Sequence, residues 1–321
     1  MAARKPQADP KLAVQKLLWF ISDNARLMLI AGLCAGLALP GLAAAMQQWL
    51  PQMVAILLVI TALRIGHHAA VGALSDFGWG VGSVLTLQLA LPLAIWAICW
   101  AVGISQTPIA LALVLVTAAP ALSGSPNLAL MLGQDAGRMM QILVLGTALF
   151  PLTVLPLLLL MPQLGDPFTI TMAALKLLTV IVLAAGLGFG LRAFLLPQAT
   201  QSQIKALNGL SVFAFSAIVV GLMAALNPAL RSDPASVAFW VLLSFILCYG
   251  IQIPAYLILA RSTLAPIAGP LAIGAGNRNI ALFLVALPEH LLAPILVFIG
   301  CWQLPMYLTP ILLRRLYKPG S

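Results

Sequence analysis

Residues 115–132 read LVTAAPALSGSPNLALML, and residues 269–285 read GPLAIGAGNRNIALFLV. Each stretch is apolar enough for a buried helix, but its middle carries residues that interrupt one. Proline removes a backbone donor and clashes with the preceding turn, and glycine lowers helix propensity. The two stretches therefore predict two helices that are broken near their midpoints.

The surrounding composition predicts that both helices lie in a membrane. Of 321 residues, 62% are hydrophobic and only 7% are charged, whereas about 25% of the residues of a soluble domain are charged. A membrane helix needs about 20 mostly apolar residues. We predict an all-α integral membrane protein with ten transmembrane helices, at residues 27–45, 50–65, 79–103, 107–133, 138–161, 167–194, 206–226, 236–259, 264–287 and 290–313.

The distribution of basic residues predicts the orientation of these helices. Short cytoplasmic loops collect lysine and arginine. With a cytoplasmic tail at residues 1–26, no cleaved signal peptide, and a second cytoplasmic tail at 314–321, only Arg231 falls in an external loop. This arrangement predicts a multi-pass protein of the inner (plasma) membrane, and it accounts for the net charge of +9 without nucleic acid. The cytoplasmic set is Arg4, Lys5, Lys11, Lys16, Arg26, Arg64, Arg138, Arg192, Lys205, Arg261, Arg314, Arg315 and Lys318.

The two broken helices occupy the fourth place in each half of the predicted chain. Residues 27–161 and 167–313 each hold five helices that start on opposite sides of the membrane, as in an inverted repeat. Paired breaks at corresponding positions indicate a transporter binding site at mid-membrane. Unwound backbone is tolerated there only if it is buried in protein or lines a wet cavity.

Arg278 is the outlier among the charged residues, because it falls near the middle of the ninth helix. A charge at the bilayer centre costs about 2.5 to 3.5 kcal/mol even on the milder insertion scale, so it needs a partner. All seven acidic residues lie outside the spans or at their ends. We expect Arg278 to bind the carboxylate of an anionic substrate. The alternative is a guanidinium that caps the carbonyl groups of a broken helix.

Other polar residues near the breaks are the remaining candidates for the substrate site. Asn127, Asn277 and Asn279 can complete the hydrogen bonds, together with Ser123 and Ser125. Gln88 lies one turn before Pro92 on the third helix, where a kink would open the backbone. The spans hold no paired acids, no Ser-His pair and no metal-ligand cluster, so we expect neither an enzyme nor a protein-bound metal or cofactor.

The two breaks and the Gln88–Pro92 stretch resemble the bile acid:sodium symporter (BASS) family, and the similarity runs along nearly the whole chain. The family's proline, small-residue run and Ser-Asn pair match APALSGSPN if Pro126 is an insertion, and its Leu-Ala-rich stretch matches IALFLVAL after Asn277. The resemblance implies a panel domain of helices 1, 2, 6 and 7. It implies a core domain of helices 3–5 and 8–10, in which helices 4 and 9 cross.

The chain departs from the family at the residues that the resemblance assigns to sodium. The shared acid falls on Ala272 and its neighbouring glutamine on Gly276, while the hydroxyls of the fifth helix fall on Met140 and Val144. Asn127, Ser125 and Gln88 remain as candidate ion ligands. A sodium ion without its carboxylate would lose too much hydration to bind tightly. Arg278, one residue after Asn277, would repel it and could replace it electrically.

These observations predict a sodium-independent secondary transporter of a small organic anion, working by alternating access. An alternative keeps sodium coupling through the residual ligands. A third candidate, from a different class, is a membrane receptor or sensor that binds a ligand without transporting it. The sequence identifies neither the substrate nor the oligomeric state.

Overall fold

The computed structural model describes residues 10–318, which form helices joined by short loops and contain no β-strand. The first half comprises α1 (Pro10–Asp23), α2 (Ala25–Ala38), α3 (Pro40–Gln47), α4 (Leu50–Gly72), α5 (Phe77–Leu85), α6 (Leu91–Ala101), α7 (Pro108–Ala118), α8 (Ser125–Met131) and α9 (Ala136–Leu159). The second half comprises α10 (Pro167–Leu195), α11 (Gln201–Leu222), α12 (Leu226–Ser232), α13 (Pro234–Leu259), α14 (Ala268–Gly276), α15 (Phe283–Ala286), α16 (Glu289–Leu292), α17 (Leu296–Cys301), α18 (Gln303–Leu312) and α19 (Arg314–Tyr317).

Seven helical segments within residues 10–318 are long and apolar enough to cross a membrane, or eight if the bent pair α1–α2 counts as one. They match seven of the ten predicted helices. The predicted first, fourth and ninth helices are absent from this set because each is divided into shorter helices. Large apolar side chains face outward, including Phe168 at 71%, Leu183 at 67% and Trp100 at 67% exposure. An outer surface of this kind is typical of a multi-pass membrane protein.

Residues 10–23, which the sequence analysis left in the N-terminal tail, form helix α1. The chain turns by 87° between α1 and α2. Helix α1 packs along α11, where the indole Nε1 of Trp19 donates a hydrogen bond to the carbonyl of Ser202 at 2.8 Å. Residues 1–9 and 319–321, which hold Arg4, Lys5 and the ends of both predicted tails, lie outside the described residues.

Gly209 on α11 allows α1 to approach closely, and this contact makes a testable prediction. A Cβ at Gly209 would overlap the backbone of Leu18, whereas one at Gly186 on α10 would meet nothing. Overpacking of this kind costs about 1–3 kcal/mol, while glycine to alanine on an open helix face gains up to about 1 kcal/mol. We expect Gly209→Ala to lower the melting temperature of the purified protein and Gly186→Ala to leave it unchanged or raise it. Equal effects of the two substitutions would contradict this packing.

Helix α4 extends seven residues beyond the predicted span, through a kink at Gly66. Gly66 has φ of 74° and ψ of 156°, a left-handed conformation that favours glycine. Arg64 lies two residues before this kink, where its side chain is half-buried instead of standing at a free helix end. Helix α10 runs beside α4, and Gly188 provides the space for this contact, because a Cβ there would lie 2.6 Å from the side chain of Ala62.

Candidate functional site

The two predicted breaks exist, and backbone hydrogen bonds join them. Residues 119–124 separate α7 from α8, and residues 277–279 follow the end of α14. The amide of Leu122 donates to the carbonyl of Asn277 at 2.9 Å, and the amide of Asn279 donates to the carbonyl of Pro120 at 2.8 Å. Ala121 and Arg278 thereby form a short antiparallel bridge. The two unwound segments thereby pair some of each other's backbone N–H and C=O groups, which a buried irregular segment requires.

The guanidinium of Arg278 lies at this bridge and donates to three backbone carbonyls. Its Nε bonds to Ala275 at 3.0 Å, its Nη1 to Ala119 at 2.9 Å and its Nη2 to Leu87 at 2.8 Å. The residue is 1% exposed. The partner that the sequence analysis failed to find is therefore the protein backbone. These contacts favour the capping alternative for Arg278 over direct binding of a substrate.

Each of the three carbonyls lacks its usual helical partner. A π-helical turn spans Thr86–Ala90, and the amide of Leu91 bonds five residues back to Thr86. The same pattern would bond Leu87 to Pro92, which has no N–H. In a continuous helix the Ala275 carbonyl would accept from the amide of Asn279, but that amide donates to the carbonyl of Pro120 instead. Ala119 is the residue that follows the last residue of α7. Helix C-termini carry partial negative charge, which stabilises a cation.

Asn277 belongs to a buried hydrogen-bond network on the side of α13 and α18. Its Nδ2 donates to Gln252 Oε1 at 3.2 Å and to the Ile273 carbonyl at 3.0 Å. Its Oδ1 accepts from Thr309 Oγ1 at 3.2 Å. Gln252 in turn donates to the hydroxyl of Tyr317 at 2.9 Å. The network ties the second break to α13, α18 and α19.

Replacing Asn277 with alanine should weaken the fold. The substitution leaves Gln252 Oε1 without this donor, whereas the carbonyl of Ile273 keeps the backbone amide of residue 277. A buried group without its partner costs about 1–3 kcal/mol. We expect a lower melting temperature for Asn277→Ala in detergent. Asn127→Ala is the matched control, because Asn127 is exposed and its loss should change stability little. A wild-type melting temperature for Asn277→Ala would contradict a structural role for the network.

Three further predicted site residues are also buried. Asn279 is 5% exposed, Gln88 is 1% exposed and Ser125 is fully buried. The Oε1 atom of Gln88 accepts a hydrogen bond from Thr153 at 3.2 Å. The hydroxyl of Ser125 has no hydrogen-bond partner among the described residues. Sequence analysis did not distinguish these buried residues from the accessible ones.

Asn127 and Ser123, in contrast, line a cavity of about 860 Å³ beside the first break. This anion cavity, as we name it, lies between α2, α4 and α11 on one side and the first break, α8 and α18 on the other. Most of its wall is apolar, and its lining contains two arginines but no aspartate or glutamate. The polar lining residues are Arg26, Arg64, Ser123, Asn127, Asn208, Ser211 and Tyr307.

Arg64 connects the two walls of the anion cavity. Its Nη2 donates to the carbonyl of Ser123 at 2.6 Å, and its Nη1 makes a long hydrogen bond of 3.5 Å to Asn208 Oδ1. Arg26 is exposed at the cavity edge. Sequence analysis assigned both arginines only to membrane orientation. The signal that could have distinguished Arg64 is Gly66, whose left-handed conformation lets α4 continue past it.

Of the candidate ion ligands, Gln88 is already hydrogen-bonded within the protein, whereas the buried hydroxyl of Ser125 has no partner among the described residues. The three carbonyls that converge at the crossing are bonded to the fixed charge of Arg278. Gln88 is bonded to Thr153, and Asn127 lies in the anion cavity. No group of three or more His, Cys, Asp or Glu side chains within residues 10–318 could hold a metal ion.

Comparisons with known proteins add no family to this description. No protein-family model matches the chain, and no curated protein sequence matches it. The structure therefore defines a helical protein with the features of a multi-pass membrane protein. Its function must be argued from the cavity and the crossing.

Proposed function

We propose that this protein is a secondary transporter that moves a small organic anion by alternating access, without sodium. The observation that carries the proposal is the anion cavity, in which Arg26 and Arg64 line a mostly apolar space with no acidic residue in its lining. An arginine can bind a carboxylate through two parallel hydrogen bonds. The apolar wall suits the hydrocarbon part of such a ligand.

The position of the cavity supports transport rather than binding alone. In the proposed BASS-like arrangement of ten helices in two inverted repeats, residues 27–161 and 167–313, the cavity lies between the panel and core domains. Helices α2, α4 and α11 belong to the panel domain, and the first break, α8 and α18 belong to the core domain. In transporters built from inverted repeats, movement of one body against the other around a fixed site exchanges access to that site between the two sides of the membrane.

Sodium independence follows from Arg278 in this proposal. The guanidinium supplies a permanent positive charge to helix ends that would otherwise need a bound cation. Such a charge also repels sodium across a short distance of low dielectric. Because the arginine is part of the chain, it moves with the core domain in every step of the cycle, and no sodium gradient is needed to drive the substrate.

Counterflow in proteoliposomes tests this function. Vesicles preloaded with an unlabelled carboxylate that binds the protein should accumulate the labelled compound equally in sodium and in choline buffers. Accumulation that requires a sodium gradient would overturn the independence claim. Binding without any exchange would favour the receptor or sensor.

One observation favours the sodium-coupled alternative. The hydroxyl of Ser125 is buried and has no hydrogen-bond partner among the described residues, so it could ligate a small cation or a water. If it ligates sodium, Ser125→Ala should abolish a sodium effect on transport. In the sodium-independent mechanism, Ser125→Ala should transport equally well in both buffers.

A further inference from the structure

A second cavity, of about 1040 Å³, lies between α4, α9 and α10 on the other side of Ser123. We name it the lateral cavity. Its lining is apolar apart from Thr61, His67, Ser123 and Thr147, and it contains no acidic residue. The proposed transport cycle gives this space no role.

The lateral cavity has a basic end. His67 lines it, and Arg192 lies against Gly66, the residue before His67. A Cβ at Gly66 would be 3.3 Å from Arg192 Nε. On α10 the lining residues Ile181, Ala185 and Phe189 repeat at helical spacing, and Arg192 follows Phe189 by three residues on the same face. The Nη1 atom of Arg192 is buried without a hydrogen-bond partner among residues 10–318.

A second buried group in the lining of the same cavity lacks a partner. Thr61 is 7% exposed, and its Oγ1 makes no hydrogen bond within the described part of the chain. Thr61 and Gly66 are five residues apart, which corresponds to about 8 Å along a helix. A ligand that satisfies both groups therefore has an anionic group near Gly66 and a hydrogen-bonding group further back along α4, near Thr61.

We propose that the lateral cavity binds one anionic phospholipid. The phosphate pairs with Arg192 and His67, an ester carbonyl accepts a hydrogen bond from Thr61, and an acyl chain fills the apolar space between α9 and α10. Basic pockets between membrane helices bind anionic headgroups in this way. Charge complementarity selects an anionic lipid over a zwitterionic one, because the lining offers no acid to bind a choline or an amine.

The lipid would also affect the anion cavity. Ser123 lines both cavities, and its carbonyl accepts the hydrogen bond from Arg64. An acyl chain packed against Ser123 from one side holds the first break in place on the other. The lipid would thus favour the conformation in which the Arg64–Ser123 hydrogen bond is made.

Native mass spectrometry of the full-length protein, released from nanodiscs of mixed phosphatidylglycerol and phosphatidylcholine, tests the proposal. We expect preferential retention of phosphatidylglycerol by about fivefold, the contribution typical of one basic residue near a charged lipid surface. Arg192→Gln should remove the preference and Arg192→Lys should keep it. Arg261→Gln is the matched control, because Arg261 is exposed on another helix end, and it should retain the preference.

A second pair of measurements separates lipid from free anion. Glycerol 3-phosphate, which has the headgroup chemistry but no acyl chains, should not compete. Ala185→Leu should reduce retention of both lipids by filling the cavity. The proposal fails if Arg192→Gln keeps the preference, if Arg261→Gln loses it equally, or if glycerol phosphate competes as well as the lipid. Because the readout is bound lipid, this result does not depend on whether the protein transports anions.

Discussion

Replacing Arg278 with methionine should destabilise the protein more than any other single substitution near the crossing. The change leaves the carbonyls of Leu87, Ala119 and Ala275 without their donor in a buried site. Each unsatisfied group costs about 1–3 kcal/mol, and the sum approaches the stability of a typical domain, about 5–15 kcal/mol. We expect a large loss of folded protein and a strongly reduced melting temperature in detergent. Tryptophan fluorescence can follow it, because Trp302 Nε1 donates to the Arg278 carbonyl at 3.2 Å.

Arg278→Lys keeps this prediction testable if the methionine variant does not fold. A lysine ammonium keeps the charge and up to three donors, but it lacks the planar fork that reaches three separate carbonyls. Its melting temperature should fall between the wild type and Arg278→Met. If either variant instead folds with wild-type stability and loses only anion affinity, Arg278 binds the substrate and the capping interpretation is wrong.

Replacing Arg64 with glutamine should cause a large loss of anion affinity and only a small loss of stability, the reverse of what we expect for Arg278→Met. A hydrogen bond to a charged group contributes about 1.5–3 kcal/mol, so the dissociation constant should rise about 10- to 100-fold. The Ser123 carbonyl faces the anion cavity and can be hydrated when Arg64 is lost. Isothermal titration with a carboxylate ligand, together with the melting temperature of the free protein, measures both effects.

Arg64→Lys and Arg261→Gln control for charge in general. The lysine retains the positive charge in the cavity and should restore part of the affinity, whereas Arg261→Gln should leave binding unchanged because Arg261 does not line the cavity. Unchanged affinity in Arg64→Gln would remove this residue from the site and leave Arg26 as the cavity's remaining cation.

The breaks themselves were predictable because proline and glycine act locally. Pro120 and the glycines before Asn277 interrupt a helix in any apolar context, and the π-turn at Gln88 follows from the missing N–H of Pro92. Composition alone predicted the helical class and seven of the apolar helices. The number of ten transmembrane helices, their arrangement as an inverted repeat and the resemblance to the BASS family remain predictions.

The contacts of the arginines were not predictable in the same way. Arg278 bonds to backbone carbonyls, which every residue possesses and no side-chain pattern reveals. Arg64 looked like an ordinary cytoplasmic cation because the helix was expected to end beside it. Only the three-dimensional path of α4 through Gly66 places it against Ser123. Helix α1 was missed because its charged residues resemble those of a tail.

The most direct test of the central claim is a thermal-shift screen of small carboxylates on the purified wild-type protein in sodium chloride and in choline chloride. Binding to the folded state alone raises its melting temperature. A sodium-independent anion site predicts that at least one carboxylate raises the melting temperature equally in both salts, and that Arg64→Gln reduces this shift. A shift that appears only in sodium, or one that Arg64→Gln leaves intact, would contradict it.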